Sequence, residues 1–409
     1  MRLLIYEHVS GGGFADELIP SSVLSEGFGM LRTLISDFKA AGHNVTTLLD
    51  SRIARLKPPI DADCVVPVFS SQEVQVNLQK ISETAEAAYV IAPETDGVLR
   101  SLVEVVEQTG AVSLNCPASA IEKVSDKVGF YEFMRKLGFP LPETKMFSVA
   151  DDLKEIKKVV RSSLNFPVIF KPSNGVSCCG LSVVKNERQI AAATKKIANE
   201  SSSNHFIVQE LVQGVSVSAS VISTGKKALP VTLNKQIVTL ASPYEESSYN
   251  GGIVPFDHVL EKEALQAART AVESIGGLRG YIGVDMVLTE DGPVVIEVNP
   301  RLTTSFVGLR RAVSFNPAQA IIDAVLWRRL PGNPRTEGYA YFSKVKTPPT
   351  RRIFRKACRL KEVVSPPFPI ALDEPAYALL AVHSSKLRSA QTAFYRARKS
   401  LLEHFDRGN

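Results

Sequence analysis

The chain has 409 residues, enough for two or three domains with buried cores. With 44% hydrophobic and 22% charged residues it has an ordinary globular composition. It contains no apolar run of membrane-spanning length, so an integral helical membrane protein is excluded.

The formal net charge of +6 is unevenly spread. From Pro334 onward there are 15 Lys/Arg against 6 Asp/Glu, which leaves 33 against 36 in the rest. No aromatic-interleaved basic motif accompanies this excess, so a solvated face is expected and a nucleic-acid partner is not. Five cysteines without CxxC or other zinc spacing, and an N-terminus without a signal-peptide pattern, predict a cytoplasmic chain with reduced thiols.

In chain order, RLLIYE is a first strand running into the glycine-rich loop His8–Gly13. Apolar residues at helical spacing follow over 26–38, with Gly42 as the stop. VTTLLD, CVVPVF, YVIAP and AVSLN then alternate with helical segments. That is a βαβ series, a parallel sheet with helices on both faces. The GGG loop is not GxGxxG, so it is weak evidence for a dinucleotide. Loops at the carboxyl ends of such strands carry ligands, which makes Glu7, Ser10, Gly11, Gly12 and Glu94 candidate substrate contacts. Ordinary turn chemistry accounts for them about as well.

From Ile121 the texture changes. Ser125 or Asp126 caps a helix that Gly138 and two prolines end. TKMF is a strand, and FPVIFKP is a buried strand delivering Lys171 at its end. The small-residue loop 173–180 follows, with Ser173, Asn174 and Gly175. Its backbone N–H groups suit a phosphate lid, with Lys171 adding charge. FIVQELV, a strictly alternating VSVSASVI expected to be half-buried, and LPVTLNKQIV are further strands. TLASPYEESSYNGGIVPFDH reads as a loop, with Tyr249, Gly251 and Gly252 as substrate candidates and His258 as an isolated histidine. EKEALQAARTAVESIGG is an amphipathic helix closed by glycines.

The segment 280–301, GYIGVDMVLTEDGPVVIEVNPR, reads as a hairpin turning at 289–292. Glu297 and Asn299 lie two apart on one strand and share a face, and Asp285 on the paired strand meets them. Two carboxylates and an amide oxygen are hard donors of the kind Mg²⁺ accepts. Arg301 follows at once, a fork for carboxylate or phosphate.

The order Lys127, Lys171-Pro-Ser-Asn-Gly-Val, Gln209-Glu-Leu-Val-x-Gly, Asp285 and Glu297-Val-Asn-Pro-Arg301 resembles the ATP-grasp superfamily over about residues 121–330. YEHVSGGG, EGFGML and YNGGIVP further resemble the archaeal tyramine–L-glutamate ligases of methanofuran synthesis and their relatives. The resemblance implies an ATP-grasp fold preceded by a Rossmann-like domain. It also implies ATP with Mg²⁺ (or Mn²⁺) as cofactors and an ADP-forming ligation of a small carboxylate to an amine through an acyl phosphate.

By the same resemblance, Lys127, Lys171 and the 173–175 loop contact the nucleotide phosphates, and Gln209, Glu210 and Val212 line the adenine. Asp285, Glu297 and Asn299 hold the metal, and Arg301 orients the carboxylate. Ser216 stands where many members carry a ribose-binding acid, and Lys235 is a further phosphate candidate. The expected domains are 1–118, 119–330 and a basic α+β cap at 331–409. A homodimer is compatible with all of this. Two alternatives stay open: an ATP-grasp enzyme with another substrate, and a non-catalytic nucleotide-binding module.

Overall fold

The computed structural model describes residues 1–173, 178–201, 203–371 and 373–403. The first unit is a five-stranded parallel sheet of β1 (Arg2–Glu7), β2 (Asn44–Asp50), β3 (Cys64–Val68), β4 (Ala87–Ile91) and β5 (Val112–Ser113), in the order β3-β2-β1-β4-β5. Its helices are α1 (Ser21–Ala40), α2 (Ser51–Ala54), α3 (Gln72–Ser82) and α4 (Val98–Glu107). Alternation along β1 sends Leu4 and Tyr6 into one core with α3 and α4, and Leu3 and Ile5 into another with α1. Helices therefore cover both faces, as the βαβ pattern predicts.

After α5 (Ala118–Ser125) and α6 (Lys127–Lys136) comes a four-stranded antiparallel sheet. It contains β6 (Thr144–Ser148), β7 (Val168–Pro172), β8 (Ser182–Val184) and β9 (His205–Glu210), in the order β6-β9-β7-β8. Packed by α7 (Leu153–Ser163) and α8 (Ile190–Glu200), it has a core of its own in which Phe147, Phe206 and Phe170 stack. Asp126 is the α6 cap, accepting from the Val128 amide at 3.1 Å.

The third sheet is antiparallel and has eight strands. They are β10 (Val215–Thr224), β11 (Ala228–Thr239), β12 (Ser248–Val254), β13 (Arg279–Thr289), β14 (Gly292–Asn299), β15 (Tyr339–Thr347), β16 (Val363–Ser365) and β17 (Ala376–Ser384), in the order β14-β13-β10-β11-β12-β15-β17-β16. Its helices are α9 (Glu261–Ser274), α10 (Phe306–Ala312), α11 (Pro317–Leu326), α12 (Arg351–Ala357) and α13 (Leu387–Leu402).

Three expectations change here. The segment read as a loop over 239–258 contains β12, a central strand. Its Gly251, at φ +137°, lies where a Cβ would overlap the Phe342 carbonyl, so these glycines serve strand packing rather than a turn. VSVSASVI is buried on both faces from Val217 onward, because the Ser218 and Ser220 hydroxyls are consumed by Asn234, Tyr281 and Ser305, and that of Ser223, next in the strand, by the Leu278 carbonyl. The basic segment after 330 packs a core of its own, but its strands β15, β17 and β16 continue the sheet of the hairpin strands instead of forming a detached one.

Candidate active site

The hairpin β13–β14 forms the floor. Asp285 and Glu297 are direct cross-strand partners, and Gly283 pairs with Asn299, so Asp285, Glu297 and Asn299 share one face. A β-bulge follows between Asp285 and Met286, with Ile296 unpaired in the ladder. The Ile296 carbonyl freed in this way accepts the Tyr131 hydroxyl from α6 at 2.6 Å. The bulge thus fixes the aim of Glu297 and ties the hairpin to the helix that carries Lys127.

The carboxylates crowd each other. Asp285 accepts the Gln236 amide at 2.9 Å and the Asn299 amide at 3.1 Å, yet burial and then the Glu297 charge push its pKa up to about 7. For Glu297, burial acts upward but Lys127, Lys171 and Arg301 outweigh it, and the net displacement is downward. Lys127 Nζ stands 3.7 Å from Glu297, whose side chain keeps 28% of its surface open. The Lys171 ammonium donates to the Tyr131 oxygen at 3.4 Å and lies 5.6 Å from that ring's centroid. Burial lowers its pKa, against the pull of Glu297 and Asp285.

Arg301 sends Nε and Nη2 to one oxygen of Glu94, at 3.0 and 2.9 Å, joining the hairpin to the loop after β4. Two acids and an amide, ringed by three cations at the junction of three sheets, are suited to a polyphosphate with a divalent cation.

Known proteins resemble this chain in sequence and in fold. Residues 124–305 match the model of the ATP-grasp domain, and residues 43–121 match that of the pre ATP-grasp 3 domain. The tyramine–L-glutamate ligase of Methanocaldococcus fervens is 30% identical over 75% of this chain and 89% of its own length. The chain belongs to the ATP-grasp family. As an ATP-grasp ligase it has a second relative in the tyramine–L-glutamate ligase of Methanocaldococcus jannaschii, 26% identical over 75% of this chain and 84% of that one. Among solved structures, an ATP-grasp superfamily protein from Archaeoglobus fulgidus aligns with a TM-score of 0.64 at 22% identity, over 94% of this chain and 99% of that one. Biotin carboxylase from Campylobacter jejuni aligns at 0.71 and 16%, over 97% and 90%. These two likenesses speak to the fold alone.

The ligase places its remaining predicted residues unevenly. Gln209 is buried on β9, its amide donating to Thr144 at 2.9 Å. Glu210 ends that strand, and Val212 is part-buried in the link to β10. The Ser173 hydroxyl meets that of Ser203 at 2.9 Å. Asn174 and Gly175 lie outside the described residues. Ser216 is two residues before Ser218, the cross-strand partner of Asp285, and shares its face.

Lys235 corrects an expectation. Strand alternation carries it to the opposite face, with Nζ 5.3 Å from the Phe256 centroid, and it is its neighbour Gln236 that reaches Asp285. The Glu7 carboxylate is spent on the loop that follows it: it accepts the amides of Val9 and Ser10 at 3.0 and 2.7 Å and the Ser10 hydroxyl at 2.6 Å. A Cβ on Gly11 or Gly12 would strike Tyr6 or Val68, which makes these packing positions too. His258 accepts the Leu260 amide at 3.2 Å near the start of α9, a structural role.

Sequence reasoning missed Tyr131, Gln236 and a buried ion pair. Lys344 on β15 meets Glu26 on α1 at 2.6 Å, the two side chains 8% and 9% exposed, and Thr304 donates to the second Glu26 oxygen at 2.9 Å. The Tyr249 hydroxyl is engaged by Ser305. Burial, then Glu26, holds its pKa well above the ordinary value, and Asp285 adds to this. Tyr249 is therefore within electrostatic reach of both Glu26 and Asp285. Alternation in LNKQ was the available signal for Gln236; nothing local marks a pair 318 residues apart.

Proposed function

We propose that this protein is an ATP- and Mg²⁺-dependent carboxylate–amine ligase acting through an acyl phosphate, with L-glutamate and tyramine as substrates and γ-glutamyltyramine, a methanofuran-type precursor, as product. The observation that carries the reading is the Asp285–Glu297 pair, two acids held face to face with Lys127, Lys171 and Arg301 around them. The choice of acid and amine draws support from the two ligases above, which share most of their length with this chain.

The donor set fits a cation. Asp285 is held up to about 7 by burial and its like-charged neighbour, a strain that a positive ion relieves. Among the described residues no group of three or more His, Cys, Asp or Glu could hold a metal unaided. Asp285, Glu297 and Asn299 would therefore hold it jointly with phosphate oxygens. When bound, Mg²⁺ offsets charge on the phosphate oxygens.

The chain's own residues do the rest. Lys127 and Lys171 meet the negative charge of the γ-phosphoryl group as it moves to the carboxylate. Arg301 orients the acyl group, and Gln209, Glu210 and Val212 lie along the strand and link assigned to the base. The cytoplasm, where ATP is supplied and free thiols persist, is the compartment that fits.

Measuring ADP release with Mg²⁺ across a panel of acids and amines tests the proposal. Release above background with glutamate plus tyramine supports it. Release only with another pair replaces the substrates and leaves the ligase reading standing.

A further inference from the structure

Glu94 and Thr95 stand in the loop after β4, at the carboxyl end of a parallel strand facing the hairpin. Both Arg301 contacts fall on Glu94 Oε2. Glu94 Oε1 is buried and has no hydrogen-bond partner, and the same holds for Oγ1 of the following residue, Thr95. Only eight side-chain atoms among the described residues share that condition, and two of them are on these adjacent residues. A buried polar atom left unmatched is costly, so two on adjacent residues, one of them bonded to Arg301, mark where a ligand supplies the missing donors.

The ligase chemistry has a matching need. An amine enters largely as R–NH₃⁺, which has no lone pair to attack with. Some group beside the acyl carbon must take a proton. The other carboxylates around the cleft are committed. Asp285 holds two amides, and Glu297 faces Lys127. Glu26 gives one oxygen to Lys344 and the other to Thr304. Glu7 is closed by Val9 and Ser10. Glu94 alone among these combines contact with Arg301, the residue assigned to the acyl group, with an unmatched oxygen.

Resting on the ligase reading above, we propose that Glu94 is the catalytic base that receives the amine substrate, with Thr95 Oγ1 as a second contact to the same ammonium. One N–H proton of R–NH₃⁺ passes to Glu94 Oε1, giving R–NH₂ and a neutral carboxyl. The nitrogen lone pair forms the N–C bond at the acyl phosphate, and the C–O bond to phosphorus breaks with its electron pair leaving on phosphate. The departing phosphate takes the second amine proton, and Glu94 returns its own to solvent. Arg301 holds the Glu94 carboxylate in place through Oε2 while Oε1 works.

The test uses Glu94→Gln, which keeps a hydrogen bond to Arg301, and Thr95→Val, with two nucleophiles: tyramine, and hydroxylamine, which is already largely unprotonated at neutral pH. The expected result for Glu94→Gln is a fall in amide formation of a hundredfold or more, within the range typical of general base removal. Hydroxamate formation from glutamate, ATP and hydroxylamine stays near wild type. Raising the pH, which deprotonates tyramine in solution, partly restores the variant. Thr95→Val raises KM for tyramine and leaves KM for ATP unchanged, without lowering the melting temperature.

Equal loss with both nucleophiles, and no rescue at high pH, would show that Glu94 serves only to position Arg301 and would overturn the proposal. Full amide turnover by Glu94→Gln would overturn it as well. Absence of hydroxamate in the wild-type protein with every acid tried would instead remove the acyl-phosphate reading on which the proposal stands.

Discussion

Replacing Asp285 by Asn removes a charge that the protein alone holds at a cost. In the folded chain the carboxyl is pushed from 3.8 to about 7 by burial and then by Glu297. Between these values the folded state binds more protons than the unfolded state, so the group's contribution to stability falls as pH rises through that window. At about 1.4 kcal/mol per pH unit the ceiling is roughly 4 kcal/mol. Solvent in the cleft lowers this, and a penalty of about 1–2 kcal/mol at pH 8 is the reasonable expectation. The substituted amide keeps the shape of the carboxyl, and the Gln236 and Asn299 amides can rotate to present an oxygen where needed. Thermal unfolding in EDTA should therefore show Asp285→Asn more stable than wild type at pH 8. The two should converge near pH 4, and the variant should lose turnover with ATP. A variant less stable than wild type at pH 8, or a difference that ignores pH, would refute the picture of two carboxylates awaiting a cation.

Other substitutions probe the scaffold. Tyr131→Phe leaves the bulge carbonyl of Ile296 without its donor and Lys171 without its rest. A loss of about 1–3 kcal/mol in a denaturant titration is expected, with a raised KM for ATP. Gly251→Ala combines a left-handed φ of +137° with overlap on the Phe342 carbonyl, and should cost roughly 3 kcal/mol or more or prevent soluble expression. Lys235→Ala, on the far face of the sheet, should leave kcat and the KM for ATP within about twofold; a large loss would place that lysine in the site after all.

The hairpin was legible because its chemistry and its period coincide. Asp285, Glu297 and Asn299 are spaced by two on paired strands, so one rule of alternation brings them together. The βαβ series was legible for the same reason, since apolar runs and helical spacing alternate without interruption. What stayed hidden depended on long-range packing. YNGGIV looks like a turn by composition, but its glycines make room for β15, almost a hundred residues downstream. Lys235 attracted attention by its charge, whereas Gln236, on the facing side, makes the contact. Tyr131 gains its role only from a bulge that no local pattern announces. Glu26 and Lys344 gain theirs from the docking of α1 against β15.

The central claim is that the acid is activated as an acyl phosphate. Turnover of glutamate labelled with ¹⁸O in its side-chain carboxylate, with ATP, Mg²⁺ and tyramine, reads this directly in the mass spectrum of the released phosphate. Transfer of one ¹⁸O atom into each inorganic phosphate, with ADP and amide formed in equal amounts, is the predicted result. Unlabelled phosphate, or label appearing in AMP, would contradict it.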